Sequence, residues 1–211
     1  MARSYAQYCA IARALDLVGE RWSLLLVREL LAGPKRYTQL AEGLPGIAPT
    51  VLSARLRTLL EGGVIASHEG AYALTELGAG LEPVLLGLSR WGMSLLGAPR
   101  EADQMRLRWY LDLMRVTYSR ERAAGVHDVY EFVVDGETAH VTVSDGTIEV
   151  RDGGAGDAVD LRVCCDIDTF VGLATRAVDV GTADAAIEGD PAAVARCLAI
   201  LAPAPPTPSG G

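Results

Sequence analysis

The sequence has few features of a membrane protein, a disulfide-stabilised protein or a metal protein. Aromatic residues make up only 6% of its 211 residues. No apolar run reaches the roughly 18 residues that a membrane-spanning helix needs. The four cysteines show no CxxC spacing, so we expect thiols in a reducing compartment. The three histidines lie near no cysteine or carboxylate at metal-ligand spacing. We therefore expect neither a membrane segment nor a metal site.

Signatures of catalysis are also missing. The sequence contains no GxSxG element, no phosphate-binding P-loop and no GxGxxG element. We therefore predict a protein that is not an enzyme and that needs no cofactor. The N-terminal residues are amphipathic and lack the apolar core of a signal peptide, so a cytoplasmic location is expected.

The net charge of −8 would argue against a nucleic-acid partner if it were spread evenly. Residues 1–100, however, hold ten basic and eight acidic residues, whereas the remainder holds nine basic and nineteen acidic ones. Such a difference between the two halves predicts two domains with different roles.

Residues 37–75 have the pattern of a winged helix-turn-helix. Pro45-Gly46 ends a first helix, and Pro49 suits the first position of a second one. The second helix stops at Gly62-Gly63, and two short strands follow around the turn Glu69-Gly70. In this motif the second helix enters the major groove of DNA. Its predicted apolar face consists of Leu52, Leu56, Leu59 and Leu60.

Further helices are predicted on both sides of this stretch. Residues 5–18 and 22–32 precede it, and a helix interrupted by proline and glycine follows from Glu76. The last helix is more apolar than a small domain needs, which predicts a partner helix from a second subunit. Its apolar face consists of Leu81, Val84, Leu85, Leu88, Trp91 and Leu95.

Residues 9–97 resemble the HxlR family of bacterial winged-helix regulators. The resemblance rests on many short matches in order, including Gly19-Glu20-Arg21-Trp22, Leu44-Pro45-Gly46-Ile47, Gly62-Gly63-Val64-Ile65 and Trp91-Gly92. It implies a homodimer, built from the first and last helices of this domain, that binds double-stranded DNA at an inverted-repeat operator. Two features depart from the family. Ala48 stands where a capping Ser is frequent, and the short wing carries Glu69, whose carboxylate would repel phosphate.

Eight residues are candidate DNA contacts. Four lie on the second helix, where they would reach base edges or phosphates, and two basic residues lie at the predicted start of the first helix. The alternative interpretation is a solvated polar helix face, and for Tyr37 simple packing. The eight candidates are Lys35, Arg36, Tyr37, Thr50, Ser53, Arg55, Arg57 and His68.

The apolar period changes after Gly125. Alternating segments predict strands joined by hairpin turns at Asp135-Gly136, Asp145-Gly146 and Asp152-Gly153. Before them, residues 101–123 predict a helix that is either a connector or the first helix of the second domain, with Met105, Trp109, Leu113 and Val116 on one face. After them we expect helices at 167–176 and 182–186, a short strand at 186–188 and a helix from Pro191 to Leu201.

Residues 102–202 are similar in pattern to the sterol-carrier-protein-like fold. The similarity rests on the hairpins, on a helix opened by Asp166 and on Ile187-Glu188-Gly189-Asp190. It implies an apolar tunnel between sheet and helices that binds lipids or acyl chains. The candidate ligand-binding residues are Met105, Trp109, Leu113, Tyr130, Phe132, Phe170, Leu173 and Leu198.

The predicted fold class is therefore α+β. A winged helix-turn-helix in residues 1–100 is followed by a sterol-carrier-like domain of antiparallel sheet plus helices in residues 101–202. The proline-rich residues 203–211 predict a disordered tail.

Three functions agree with this pattern. The first is a dimeric transcriptional regulator whose C-terminal domain binds an apolar or amphipathic small-molecule effector. The second is a regulator that senses oxidants or electrophiles at Cys9, with a purely structural C-terminal domain. The alternative interpretation of Cys9 is a small core residue in an apolar helix. The third is a lipid or metabolite carrier whose winged helix no longer binds DNA.

Overall fold

The computed structural model describes residues 4–95, 103–156 and 158–201. The chain divides into two compact units, residues 1–88 and 89–211. The predicted domain boundary at residue 100 and the predicted tail of residues 203–211 lie outside the described residues.

The N-terminal unit contains a helix-turn-helix and a small sheet. Its sheet has the strand order β1-β3-β2, and both pairings are antiparallel. The last helix, α6, extends past residue 88. We group it with the N-terminal unit because its Leu85 packs against the core of that unit. The elements are α1 (Ala10–Val18), α2 (Ser23–Leu31), β1 (Lys35–Arg36), α3 (Tyr37–Gly43), α4 (Pro49–Glu61), β2 (Ile65–His68), β3 (Ala71–Leu74), α5 (Glu76–Ala79) and α6 (Glu82–Gly92), followed by a 3₁₀ turn at Met93–Leu95.

The predicted second helix of the motif is α4, and its ends are as expected. It begins at Pro49 after Ala48, whose side chain provides no cap, and it ends before Gly62. Gly63 then adopts a positive φ of 69°, which allows the chain to turn into β2. Leu52, Leu56 and Leu59 are buried in the core, but Leu60 is 37% exposed, so the apolar face is narrower than predicted.

The beginning of the chain differs from the prediction of a helix over residues 5–18. The Asp16 carboxylate accepts hydrogen bonds from the Ser4 hydroxyl at 3.0 Å and from the Tyr5 N–H at 2.9 Å. These bonds hold the first described residues beside α1, so the helix begins only at Ala10 and Tyr8 precedes it. Lys35 and Arg36 likewise form β1, because β3 pairs with them, and α3 begins at Tyr37.

The C-terminal unit is a sheet with helices packed on one face. The strand order is β6-β5-β4-β7-β8. Side chains from the inner face of the sheet and from α7, α9 and α10 form one buried core. The elements are α7 (Leu107–Thr117), α8 (Arg120–Ala123), β4 (His127–Val134), β5 (Glu137–Ser144), β6 (Thr147–Asp152), β7 (Leu161–Cys165), α9 (Ile167–Ala174), β8 (Ala186–Gly189) and α10 (Pro191–Leu201).

Both units together confirm the predicted α+β class. Three details of the C-terminal unit differ from the prediction. Strands β6 and β7 are not neighbours in the sheet, so Asp152-Gly153 is not the turn of a hairpin. The chain returns after β6 and places β7 parallel to β4, whereas the other strand pairs are antiparallel. The predicted helix at 182–186 is wrong: the Thr182 N–H bonds to the Asp179 carbonyl in a turn, and Ala186 already belongs to β8.

Candidate nucleic-acid interface and apolar cavity

The polar face of α4 is open to solvent. The three core leucines lie on the opposite side of the helix and are 0–2% exposed. Thr50, Ser53 and Arg57 are exposed, as the helical spacing predicts. A shallow depression on this face is lined by Pro49, Thr50, Ser53, Ala54 and Arg57. Three candidate DNA contacts are therefore neighbours on one accessible surface.

Tyr37 joins the two helices of the motif. Its hydroxyl donates a hydrogen bond to the Pro49 carbonyl at 3.1 Å and lies 3.4 Å from the Ser53 hydroxyl oxygen. The ring is half-buried against the N-terminal core. These contacts agree with the packing interpretation, and they place the start of α4 relative to α3 without a side-chain cap at Ala48.

The wing sheet brings together two candidates that are 32 positions apart in the sequence. Arg36 and His68 pair with Ala71 from opposite sides, so both project from the same face of the sheet. The wing turn is Glu69-Gly70, with positive φ values of 50° and 78°, as a two-residue hairpin turn requires. Arg36, His68 and Glu69 are all exposed. Because the two-residue strand β1 has no signal in the sequence pattern, this grouping was not predicted.

Lys35 forms an ion pair with a buried acid of its own domain. Its ammonium lies 3.1 Å from the carboxylate of Glu29, which is 4% exposed and also pairs with Arg28 at 2.8 Å. Burial alone would raise the pKa of Glu29, but the charges of Lys35 and Arg28 outweigh burial and hold that pKa below its ordinary value. Lys35 therefore stabilises a buried acid, a role that the sequence did not indicate.

Arg55 is also turned away from the open face of α4. Its guanidinium Nη2 lies 3.5 Å from the Glu20 carboxylate, in the corner between α1 and α2, and its side chain is 23% exposed. Successive positions on a helix differ by about 100°, so residues 55 and 57 project to nearly opposite sides. The candidates Arg55 and Arg57 thus occupy different environments.

Two helices of the N-terminal unit expose large apolar side chains. Ile11 and Leu15 on α1 are 72% and 41% exposed. Further exposed side chains recur along one side of α6 and the turn that follows it, at helical spacing. They are Val84, Leu88, Trp91 and Leu95, between 45% and 66% exposed.

An apolar cavity lies between the sheet and the helices of the C-terminal unit. It has a volume of about 40 Å³. Phe170 is central to one wall, since its ring meets those of Phe132 and Tyr110 edge to face at 5.3 and 5.4 Å. The lining residues are Met114, Phe132, Leu161, Val163, Phe170, Leu173, Ala174, Val180, Ile187, Val194, Cys197, Leu198 and Leu201.

Four of the eight ligand candidates line this cavity, namely Phe132, Phe170, Leu173 and Leu198. Met105 precedes α7 and is 37% exposed, and Trp109 and Leu113 lie on a half-buried side of that helix. The buried side of α7 instead carries Leu107, Leu111 and Met114. Their i, i+4, i+7 spacing is an apolar stripe that was detectable in the sequence.

Tyr130, the remaining candidate, belongs to a polar cluster. Its hydroxyl donates to the buried Asp128 carboxylate at 2.7 Å, and Arg196 of α10 contacts that carboxylate at 2.7 and 3.2 Å. Burial and the bond to Asp128 raise the pKa of Tyr130. Burial would raise the pKa of Asp128 as well, but the hydrogen bonds from Arg196 and Tyr130 hold it below its ordinary value. This cluster fastens α10 to β4.

Two of the cysteines differ sharply in exposure. Cys9 is an exposed thiol directly before α1, whereas Cys197 is buried. In the described ranges, no three histidine, cysteine or acidic side chains are grouped so that they could hold a metal ion. No described helix is both long and apolar enough to cross a membrane.

Two protein families match the chain. The HxlR-like helix-turn-helix family matches residues 17–99, and the alkyl sulfatase C-terminal family matches residues 96–207. The C-terminal match is compatible with the sterol-carrier-like fold expected from the sequence pattern.

Similar proteins support the first of these matches. The uncharacterised HTH-type transcriptional regulator Rv3095 of Mycobacterium tuberculosis is 42% identical over 108 residues, which are 47% of this chain and 66% of Rv3095. The chain thus spans slightly less than two thirds of that relative. The HTH-type transcriptional regulator YodB of Bacillus subtilis is 31% identical over 85 residues, which are 37% of this chain and 76% of YodB.

Solved structures resemble each half of the chain. The crystal structure of quinone-bound YodB covers 40% of this chain and 96% of its own, with 31% identity and a TM-score of 0.38. The sec-alkylsulfatase Pisa1 from Pseudomonas sp. covers 47% of this chain and 17% of its own, with 20% identity and a TM-score of 0.43. From the family matches and the relatives together, the chain belongs to the HxlR-like helix-turn-helix family of transcriptional regulators, with a C-terminal domain of the alkyl sulfatase C-terminal family.

Proposed function

We propose that this protein is a homodimeric transcriptional regulator that binds double-stranded DNA at an inverted repeat and responds to an apolar or amphipathic small molecule. The observation that carries the proposal is the open polar face of α4, where Thr50, Ser53 and Arg57 line one depression. A helix of this kind in a helix-turn-helix reads base edges in the major groove. Arg36 and His68, which project from the same face of the wing sheet on either side of β3, would contact the phosphates that flank this groove.

Dimerisation is supported by the apolar faces of α1 and α6. Side chains such as Ile11 and Trp91 expose 72% and 65% of their surface. Large apolar side chains that are exposed along one side of a helix are typical of an interface with another protein. A symmetric dimer presents two copies of α4, which must lie about 34 Å apart to reach successive major grooves on one side of the DNA.

Effector binding is supported by the cavity of the C-terminal unit, whose lining is apolar apart from the thiol of Cys197. Its volume of about 40 Å³ is far below the roughly 300–1,000 Å³ of sites that enclose drug-sized ligands. We therefore expect only part of an effector, a short hydrocarbon segment, to fit without movement. A longer chain requires α9 or α10 to shift away from the sheet.

A salt series tests DNA binding. The full-length protein is titrated against the DNA upstream of its own gene and of the neighbouring genes. Affinity should fall steeply with salt concentration, because each phosphate contact releases counterions. Arg57→Ala should weaken binding by about tenfold and reduce the salt slope by about one unit. Thr58→Ala, a half-buried position on the same helix, serves as the matched control.

If no DNA is bound, the carrier function with a vestigial winged helix replaces the proposal. The exposure of Cys9 favours one further candidate, a regulator that senses electrophiles at this thiol. Cys9→Ser distinguishes the electrophile sensor from the regulator with an apolar effector. The substitution should abolish a response to electrophiles and leave a response to an apolar effector intact.

A further inference from the structure

An ion pair connects the candidate recognition helix α4 to the corner that follows α1. Arg55, in the middle of α4, directs its guanidinium to Glu20 at 3.5 Å, and the two side chains are 23% and 57% exposed. Arg57 lies on the open face of the same helix. The two arginines therefore have different roles, because only Arg57 is directed toward the proposed DNA surface.

The corner that carries Glu20 is held firmly in place. Trp22 adopts a positive φ of 82°, a conformation that bulky residues rarely adopt and that persists only when the surroundings enforce it. Its indole packs against the N-terminal core, and the Arg21 guanidinium lies over the ring at 5.4 Å. The Gly19 N–H bonds to the Leu15 carbonyl at 2.9 Å, which attaches the corner to α1.

A second contact between α1 and α4 lies further along the recognition helix. At Gly62 a Cβ atom would come within 2.7 Å of a methyl group of Leu17, so the end of α4 packs closely against α1. Residues 55 and 62 are separated by about 10 Å along a helix axis. Two contacts at this separation fix the direction of α4 relative to α1 as well as its position.

We infer that the Glu20–Arg55 ion pair is a positioning device that sets the direction of α4 relative to α1 and thereby selects the spacing between the two DNA half-sites. The inference rests on the proposed function, in which α1 contributes to the dimer interface. In a symmetric dimer, a rotation of α4 against α1 displaces both recognition helices. The separation of the helices, and with it the preferred half-site spacing, then changes.

A charge exchange separates this role from a direct DNA contact by Arg55. An arginine that binds DNA cannot be replaced by a carboxylate, whatever residue stands at position 20. An arginine that acts through Glu20 can be replaced if the partner is exchanged as well. The informative variants are Glu20→Gln, Arg55→Glu and the double exchange Glu20→Arg with Arg55→Glu. Glu61→Gln, which removes an exposed acid from the end of α4, is the matched control.

The experiment first selects inverted repeats from random DNA with the full-length wild-type protein. Dissociation constants are then measured for the selected spacing and for spacers longer or shorter by one base pair. Exposed ion pairs have modest energies, so Glu20→Gln should reduce the preference for the selected spacing by about threefold to fivefold. Arg55→Glu should reduce it at least as much, and the double exchange should restore it. Thermal unfolding of each variant confirms that it is folded.

Two results would overturn the inference. One is an unchanged spacing preference in Glu20→Gln and Arg55→Glu. The other is a loss of affinity in Arg55→Glu that is equal at every spacing and that the double exchange does not restore, since Arg55 would then contact DNA itself. A wild-type protein that selects no DNA would overturn the proposed function, and this inference with it.

Discussion

The two units differ in how many of their large apolar side chains are exposed to solvent. Of the twelve exposed large apolar side chains in the described residues, eleven precede residue 96 and one, Met105, follows residue 102. Among the residues that the structure describes, the buried core comprises eleven in the N-terminal unit and nineteen in the C-terminal unit. The N-terminal unit therefore has apolar surface left over for a partner, whereas the C-terminal unit covers its own and retains a small internal cavity.

The two units also differ in what their basic side chains contact. In the N-terminal unit, Lys35 and Arg55 pair with acids, which leaves Arg36 and Arg57 as the exposed basic candidates for DNA. In the C-terminal unit, arginines such as Arg196 fasten elements of one fold together. A single N-terminal unit thus offers few phosphate contacts. We expect affinity to depend on two units binding together.

The largest expected effect comes from breaking the apolar surface of the N-terminal unit. Replacing Leu88 and Trp91 together by Asp should convert a dimer into monomers, because a charged side chain cannot be buried without a partner. Operator affinity should fall by about 100-fold, since the second half-site is no longer bound within the same complex. Light scattering measures the mass, and a DNA titration measures the affinity.

Met105→Asp is the matched control for that variant, because Met105 is the large apolar side chain that is exposed in the described part of the other unit. It should leave both the mass and the DNA affinity unchanged. A dimer that persists in the Leu88 and Trp91 variant would contradict the proposed interface.

A smaller effect is expected from the cavity of the C-terminal unit. At ten times its dissociation constant, 1-octanol should raise the unfolding temperature by about 5 °C, because it binds only the folded state. Val194→Phe places a ring in the cavity lining and should abolish this shift, whereas Met105→Ala should retain it. Calorimetry measures the shift. Equal shifts in the wild type and Val194→Phe would show that octanol binds outside this cavity.

The smallest effect concerns the acids that fasten the C-terminal fold. The pKa of Asp128 and that of Glu131 are lower in the folded state than their ordinary values of 3.8 and 4.5. For Glu131 the causes are hydrogen bonds from the Ala155 N–H and from Arg162. Their contribution to stability is therefore complete above those ordinary values and is lost as the pH falls below them.

Asp128→Asn tests this dependence. At pH 7 it should lower the unfolding temperature by about 3 °C. The difference from the wild type should shrink as the pH falls below about 4, because Asp128 of the wild type then takes up a proton, first in the unfolded state and at lower pH in the folded state. Asp184→Asn, an exposed position, is the control and should unfold like the wild type at every pH. A difference that stays constant with pH would exclude the paired carboxylate as its cause.

The sequence predicted features that depend on neighbouring residues more accurately than features that depend on residues far apart in the chain. The limits of α4 and the three tight turns at Glu69-Gly70, Asp135-Gly136 and Asp145-Gly146 follow from proline, glycine and local spacing, and the structure has them. The start of α1, the strand β1 and the parallel pairing of β7 depend on residues distant in the sequence, and they were not predicted.

The candidate sites divide in the same way. Helical spacing was enough to place Thr50, Ser53 and Arg57 on the open face of α4. It was not enough for Lys35 and Arg55, because their acidic partners lie on other elements. For the cavity, apolar residue type does not distinguish a lining residue from one packed elsewhere. Half of the ligand candidates therefore lie away from it.

By itself, the sequence determined the class of the fold, the order of the two units and the helix that carries the polar surface. These features depend on periodicity and turn chemistry, which are local. The tertiary structure alone decided that Arg55 pairs with Glu20, that Leu85 of α6 packs inward while Leu88 stays exposed, and where a cavity remains. Each of these depends on contacts between distant segments, which charge and hydrophobicity along the chain do not specify.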